Sequence, residues 1–337
     1  MEDRLLFLIG SPRSGSTLLA RMLGAHSAVH APSEPHLITP LAHMGYFASV
    51  EKAPYDPIIT QGALRQLVAD LPRGEDDYLD ALRHFSDSIY EHLLGSTGAR
   101  RLLDKTPAYA LVLDFLARLY PRARYLVLTR QPLAIWCSYV ESFFDGDHRV
   151  AHAHMPLLER YVPAIARFLR EQPVALHHLR YEDLVRDPEA QMQRVCDFLD
   201  LRYERGMVNY GEHTAAVGVT ARGLGDPVTV ARQQRPTTNS LDRWIADLAG
   251  QPDAVDRCAR ILAGLTDPDL ALWGYSRERI ESQLAGVDLA GGPPGKRRLS
   301  RYSLERKLLV LLRRNIHANA FGRLVKRIRF ACDVLLR

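Results

Sequence analysis

The sequence of 337 residues is poor in cysteine, and its four cysteines form no CxxC pair. They are far apart along the chain, at Cys137, Cys196, Cys258 and Cys332. This spacing excludes a zinc ribbon and a small disulfide-stapled fold, and it is typical of a reducing compartment. Hydrophobic residues make up 47% and charged residues 25% of the chain, which excludes collagen-like and wholly disordered proteins.

Long apolar runs are also lacking. No stretch approaches the roughly 20 consecutive apolar residues that a membrane-spanning helix needs. The first residues, MEDRLLFLIGSPRSG, contain too short an apolar run and the wrong flanks for a signal peptide. We therefore expect a cytoplasmic protein.

The main part of the chain lacks excess positive charge. The net charge is +5, but residues 296–337 contain 13 Lys and Arg against two acids, so residues 1–295 sum to −6. A main domain of this charge is not expected to bind nucleic acid. The high isoelectric point is a property of the C-terminal tail.

Short apolar runs alternate with segments of helical periodicity. The runs indicate buried strands, at 4–9, 29–31, 101–103, 125–129 and 174–179. Helices are predicted at 61–94 (two, separated at 72–74), 108–119, 133–143, 156–170, 187–199 and 241–248. This alternation predicts an α/β fold, a three-layer sandwich whose central, mainly parallel sheet is flanked by helices. Ligands of such sheets bind at the carboxyl ends of the strands.

The segment GSPRSGST follows the first predicted strand. Gly10 and Gly15 have the spacing of the phosphate loop GxxxxGK[ST], but Ser16 replaces its Lys and Arg13 stands inside the loop. Backbone N–H groups of such a loop point at an anion, and the following helix adds partial positive charge. A nucleoside triphosphate with Mg²⁺ would lack its Lys, whereas a 5′-phosphate that carries another anionic group would fit. The alternative is a tight turn that binds nothing.

The segment LTRQPLAIWCSYV follows the fourth predicted strand. Arg130 ends that strand, and Ser138 lies eight residues later on the next predicted helix. A guanidinium at a strand end offers a bidentate fork to a phosphate, and a hydroxyl adds a donor. A late segment, RQQRPTTNSLDRW, places Arg235 before a proline and nine residues ahead of a tryptophan.

These three segments together resemble sulfotransferases that use 3′-phosphoadenosine-5′-phosphosulfate (PAPS), in particular the bacterial and tyrosylprotein branch. The resemblance covers roughly residues 4–245 and implies a P-loop-type fold. It implies that the first loop holds the 5′-phosphosulfate, through Arg13, Ser14, Gly15, Ser16 and Thr17. It further implies that Arg130, Ser138 and Arg235 hold the 3′-phosphate. Tyr181 either lines the nucleotide pocket or packs in the core.

The resemblance also implies the residues that carry the chemistry. Glu34 in HAPSEPHL matches the catalytic base of the tyrosylprotein branch, and His36 is the competing base. Lys105 in DKTP is expected to touch the bridging oxygen of the phosphosulfate and, with Arg13, to stabilise the departing phosphate. Asp104 is expected to hold Lys105. No metal is expected, because fixed cations replace Mg²⁺; the histidines of 148–154 are interpreted as a polar loop near the acceptor entrance.

We therefore predict a PAPS-dependent sulfotransferase that acts on a hydroxyl group and releases 3′-phosphoadenosine-5′-phosphate (PAP). The alternatives are a P-loop small-molecule kinase and a non-catalytic membrane or scaffold protein that keeps a nucleotide fold. Aromatic residues in 40–100 and 143–160 favour a partly apolar acceptor: a lipid, a glycolipid, a polyketide or a carrier-bound acyl chain.

The end of the chain has a different composition. We predict a sulfotransferase domain at 1–289, a linker at 290–296 and a tail of basic amphipathic helices at 297–337. Such helices bind an anionic membrane surface, which would place the protein at the inner face of the membrane, or an acidic partner. The other interpretations are packing on the main domain and formation of a homodimer.

Overall fold

Five parallel strands form the central sheet of the computed structural model, which describes residues 1–47, 57–211 and 234–290, together with Leu324 and Ile328. The strand order is β2-β3-β1-β4-β5. Their bounds are β1 Leu5–Gly10, β2 Val29–His30, β3 Arg101–Asp104, β4 Arg124–Thr129 and β5 Leu176–Arg180. The predicted strands and the parallel sheet are confirmed. Because β1 lies between β3 and β4, the loops that follow these three strands meet at one edge of the sheet.

Fourteen α-helices are described in these ranges. They are α1 Ser16–Gly24, α2 Ile38–Ala42, α3 Pro57–Ala69, α4 Glu75–Gly95, α5 Leu113–Leu119, α6 Pro132–Phe144, α7 His148–His154, α8 Leu157–Glu171, α9 Tyr181–Arg186, α10 Pro188–Phe198, α11 Arg243–Leu248, α12 Pro252–Ala263, α13 Asp267–Leu272 and α14 Arg277–Ala285.

The helices cover both faces of the sheet, so the predicted three-layer sandwich is confirmed. Successive side chains of a strand point to opposite faces, and β1 shows this clearly. Leu5, Phe7 and Ile9 join a core with α4, α5, α6, α8 and the helices after α10. Leu6 and Leu8 join a second core with α1, α9 and α10. All five side chains are fully buried, which explains the continuous apolar run of this strand.

Two local predictions are wrong. The segment 108–119 is not one helix: a 3-10 helix at Pro107–Leu111 precedes α5. Val112 separates them with φ −131, and the hydroxyl of Tyr109 is bound to Asp104, which fixes the direction of the first turn. The histidines of 148–154 form helix α7 rather than a loop. His148 is buried there because its Nδ1 accepts a hydrogen bond from Trp136 Nε1 at 2.9 Å.

Helices α12 to α14 were not predicted from the sequence, and they complete one layer. Trp273 anchors them: its indole donates to the Val162 carbonyl, and its own carbonyl accepts from Thr129 Oγ1 at 2.9 Å. The predicted linker beyond Ala290 and the predicted tail lie outside the described residues. Leu324 and Ile328 are exceptions; both are helical and exposed. Among the described helices, none is both long and apolar enough to cross a membrane.

Candidate active site

The loop between β1 and α1 is a tight turn built on two left-handed residues, Arg13 with φ 69 and Gly15 with φ 96. Gly15 is the residue before α1, and its carbonyl accepts from the Leu18 amide at 2.9 Å. A Cβ on Gly15 would lie 2.3 Å from Cδ2 of Tyr181, so only glycine fits against that ring. The loop therefore keeps its first-turn amides at the end of the sheet.

Ser14 makes this loop polar on its inner side. Its hydroxyl is fully buried, and no hydrogen-bond partner is found for Oγ among the described residues. Buried polar groups are normally satisfied, and an unsatisfied one is costly. The orphaned hydroxyl and the helix start fit an anion that would be held by Ser14, Gly15, Ser16 and Thr17.

Arg130 joins this loop to a late segment of the chain. Its Nη1 donates to the Arg13 carbonyl at 3.2 Å, and its Nη2 donates to the Ser240 carbonyl at 2.9 Å. Its Nε is buried without a hydrogen-bond partner in the described part of the chain. Burial lowers the pKa of Arg130 from its usual value. The buried Nε is thus a second orphaned donor that an anion would satisfy.

Tyr181 packs between the two arginine-bearing loops. Its ring covers Gly15, and the Arg130 guanidinium carbon lies 4.4 Å from the ring centroid. Its hydroxyl shares a hydrogen bond of 2.6 Å with Ser240 Oγ. Ser240 is a site residue that the sequence analysis missed, because a serine in an irregular segment has no distinguishing pattern.

The two expected arginine sites are adjacent. Arg13 Nε donates to Ser138 Oγ at 3.1 Å, so an arginine expected at the 5′ end touches the serine expected at the 3′ end. Arg235 lies at an exposed position before the buried Pro236, on the segment that reaches Arg130 through Ser240. The structure brings these residues to one edge of the sheet. Their roles toward a donor stay predictions.

A second group of charged residues lies beside the first. Lys105 Nζ forms an ion pair with Glu34 Oε1 and lies 3.5 Å from Thr17 Oγ1, on the first turn of α1. The side chains of Lys105 and Glu34 are 5% and 11% exposed, so the pair is largely shielded from water. His36 is more exposed, and its Nε2 lies 3.4 Å from Glu34 Oε2. The two candidate bases, Glu34 and His36, therefore lie in contact with each other.

Asp104 does not hold Lys105, which corrects the sequence analysis. This fully buried carboxylate instead accepts hydrogen bonds from three hydroxyls, those of Tyr90, Thr106 and Tyr109. Burial raises the pKa of Asp104 to about 6, because removal of water disfavours the ionised form. Lys105, the first residue after β3, pairs with Glu34 instead.

Tyr161 of α8 is buried, and burial raises its pKa to about 12. From the sequence, a tyrosine on the apolar face of a predicted helix indicates packing alone. Across the described ranges, no group of three or more His, Cys, Asp or Glu side chains could hold a metal ion.

These features define an α/β protein with a parallel sheet, at one edge of which a glycine-containing loop, two arginines and a carboxylate–ammonium pair lie together. The profile of the sulfotransferase family matches residues 6–205, more than half of the chain. The chain therefore belongs to the sulfotransferase family.

Several known proteins are similar to it. Nodulation protein NoeE of Sinorhizobium fredii is 36% identical over 201 residues, which cover 59% of this chain and 45% of NoeE. A putative protein-tyrosine sulfotransferase of Caenorhabditis briggsae is 27% identical over 62% of this chain and 70% of its own length. The solved sulfotransferase domain from the curacin biosynthetic pathway is 22% identical, with a TM-score of 0.48 over 83% of this chain and 96% of that chain. The chain thus spans less than half of NoeE.

Proposed function

We propose that the protein transfers the sulfonyl group of PAPS to a hydroxyl acceptor and releases PAP. The observation that carries this proposal is the contact of Lys105 with both Glu34 and Thr17. A carboxylate able to take a proton and a cation able to stabilise a leaving phosphate thus stand at the start of α1. Family membership supports the same reaction.

The donor would be held at two places. The first-turn amides of α1 and the hydroxyls of Ser14, Ser16 and Thr17 would bind the 5′-phosphosulfate. Arg130, Ser138 and Arg235 would bind the 3′-phosphate. The orphaned Ser14 Oγ and Arg130 Nε support this assignment, because each is a buried donor that lacks an acceptor in the described structure.

Glu34 accepts the proton that the acceptor hydroxyl loses. As the hydroxyl oxygen bonds to sulfur, the bond between sulfur and the bridging oxygen breaks, and PAP leaves with the electron pair. Lys105 and Arg13 stabilise the negative charge that develops on its phosphate. His36 contacts the other oxygen of Glu34 and orients it, or takes the proton in its place. Fixed cations supply the charge, so the reaction needs no metal ion.

A small-molecule kinase is the second candidate for this loop. Ser16 stands where the phosphate loop of a kinase has its Lys, and family membership favours sulfonyl transfer. A non-catalytic scaffold would not require the shielded pair of Glu34 and Lys105. We therefore retain sulfonyl transfer.

The acceptor is proposed to be partly apolar. Tyr46, Phe47, Tyr78 and Phe115 form an aromatic cluster, in which neighbouring ring centroids lie 4.6 to 6.2 Å apart. Phe143 adds a ring against Tyr139 on α6. A lipid, a glycolipid, a polyketide or a carrier-bound acyl chain would provide a hydroxyl with apolar surroundings. A small-molecule acceptor of another kind is the remaining option.

The basic tail is proposed to bring the protein to its place of action and to take no part in the reaction. Residues 1–289 would form the transferase domain, 290–296 the linker and 297–337 a basic tail on the inner face of a membrane or on an acidic partner. A homodimer formed through the tail is the other option. Deletion of 297–337 should leave PAP binding intact and abolish sedimentation with anionic liposomes. Unchanged sedimentation would contradict the membrane proposal.

The donor is tested by thermal shift. PAP should raise the melting temperature, whereas ATP with Mg²⁺ should not; the reverse result would favour the kinase. Turnover is tested by incubating the protein with ³⁵S-labelled PAPS and a cell extract as the source of acceptors. Glu34→Gln should lose label transfer and keep PAP binding, whereas Glu281→Gln, an exposed change on α14, should behave as the unmodified protein.

A further inference from the structure

Two relays of hydrogen bonds hold the segment that follows Glu34, and both end on the buried carboxylate of Asp104. In the first relay, Thr106 Oγ1 accepts from the His36 amide at 3.2 Å and donates to Asp104 Oδ1 at 3.2 Å. In the second, the Tyr109 hydroxyl accepts from the Ile38 amide at 3.0 Å and donates to Asp104 Oδ2 at 2.9 Å. The backbone of 36–38 is therefore attached to β3 at two points.

The chemistry of a carboxylate fixes the direction of both relays. An ionised carboxylate only accepts hydrogen bonds, so each hydroxyl must give its hydrogen to Asp104 and keep a lone pair for a backbone amide. An asparagine at this position would present an amide donor, and one hydroxyl would have to turn away from its backbone amide. Asp104 is 0% exposed, so water does not readily replace a lost partner.

The segment needs such support. His36 has φ 53, a left-handed conformation that is costly for a residue with a side chain and persists only where the surroundings hold it. The same residue lies next to Glu34 in space, with Nε2 at 3.4 Å from Oε2. The backbone conformation at His36 thus determines where the two candidate bases stand.

We propose that Asp104 is a positioning residue for proton transfer: through Thr106 and Tyr109 it fixes the backbone of 36–38, and with it the carboxylate of Glu34 beside Lys105. This inference rests on the proposed function. Asp104 touches no reacting atom; it acts through the two hydroxyls.

Tyr90 provides a matched control. Its hydroxyl donates to the same oxygen, Asp104 Oδ2, at 2.6 Å, but it comes from α4 and stands outside both relays. Tyr90→Phe and Tyr109→Phe therefore remove the same atom from the same carboxylate oxygen. If Asp104 were merely structural, the two variants would have the same hydrogen exchange and the same rate of label transfer. If Asp104 positions the segment 36–38, only Tyr109→Phe should change them. Thr106→Ser keeps the hydroxyl of the first relay, whereas Thr106→Val removes that hydroxyl and breaks the relay.

Hydrogen exchange of a peptide that covers residues 34–40 tests the relays without any acceptor. Tyr109→Phe, Thr106→Val and Asp104→Asn should speed exchange by about fivefold to tenfold, the effect of one lost hydrogen bond on local opening. Tyr90→Phe and Thr106→Ser should exchange as the unmodified protein does. Equal rates in Tyr109→Phe and Tyr90→Phe would overturn the inference. If Asp104→Asn does not fold, the two tyrosine variants still decide.

Label transfer from ³⁵S-PAPS to an extract tests the catalytic consequence. At saturating PAPS, Tyr109→Phe and Thr106→Val should be slower by about tenfold to a hundredfold, the effect of a displacement near 1 Å. The PAPS concentration that gives half the maximal rate should stay unchanged. Thr106→Ser, which keeps the hydroxyl, should transfer label at the rate of the unmodified protein. Equal rates for Tyr109→Phe and Tyr90→Phe would refute the positioning role. No transfer by the unmodified protein would instead refute the proposed function, and the exchange experiment would still decide the relays.

Discussion

Replacement of Gly15 by alanine tests whether the anion-binding loop depends on this one glycine. The residue has φ 96, where a side chain is strained, and its Cβ would lie 2.3 Å from Cδ2 and 2.6 Å from Cε2 of Tyr181. The left-handed conformation costs alanine about 1–2 kcal/mol. Overpacking against a ring that cannot move freely adds about 1–3 kcal/mol. We expect the free energy of unfolding to fall by about 2–5 kcal/mol in total.

The same change should weaken PAP binding. Relief of the clash moves the Tyr181 ring, which also lies 4.4 Å from the Arg130 guanidinium. Loss of one charge-assisted hydrogen bond at that guanidinium would lower the affinity for PAP by about tenfold or more. Urea denaturation measures the first effect and calorimetric titration with PAP the second.

Gly62→Ala is the matched control for this experiment. Gly62 lies inside α3, is exposed, and nothing lies within 4 Å of its added Cβ. Alanine there should raise the free energy of unfolding by about 0.5–1 kcal/mol, because glycine disfavours a helix interior. PAP binding should not change. If Gly15→Ala were as stable as Gly62→Ala and bound PAP normally, the geometry assigned to this loop would be wrong.

Three further changes probe the charged groups. Arg130→Lys should lower PAP affinity by about tenfold or more, because an ammonium cannot replace the fork that donates to two carbonyls; a change below twofold in calorimetric titration would contradict this. Lys105→Met should lower the free energy of unfolding by about 3–5 kcal/mol by leaving the shielded Glu34 without its ammonium partner, and adding Glu34→Gln should recover part of the loss in urea denaturation. The pKa of Asp104 is about 6 in the folded protein and ordinarily 3.8, so its protonation favours folding. That stabilisation is present at low pH and is lost as the pH rises through 6, so between about pH 3 and 7 the unmodified protein should lose ~3 kcal/mol relative to Asp104→Asn; parallel stability curves would refute the buried-carboxylate assignment.

The sequence was sufficient to predict the sheet and the loops at its edge. Strands buried on both faces are nearly continuous apolar runs, and those of β1, β3 and β4 end at Gly10, Asp104 and Thr129, where polar motifs begin. The glycine spacing of the first loop has a local meaning, since a left-handed residue is required at one position. Such signals survive in a one-dimensional pattern because neighbouring residues determine them.

The missed features depend on contacts between distant residues. Tyr90 and Tyr109 meet at Asp104 from a helix and a 3-10 helix, and each alone is typical of core packing. Ser240 approaches Arg130 from the far end of the domain. Helix α7 was missed for a different reason: its buried residues are only Ala151 and a histidine, His148, that Trp136 holds, so the segment shows no clear apolar periodicity.

The position of β1 has a consequence for biosynthesis. Its two neighbours arrive late, since Leu5 pairs with Leu102 and Leu6 pairs with Arg124. During synthesis β1 must therefore remain without lateral partners until β3, and then β4, has left the ribosome. Long-range parallel pairing of this kind is slow to form, and aggregation-prone apolar segments stay exposed until it has formed. A nascent chain stalled before Arg124 should accordingly depend on chaperones, whereas one extended past Arg180 holds all five strands that the structure describes.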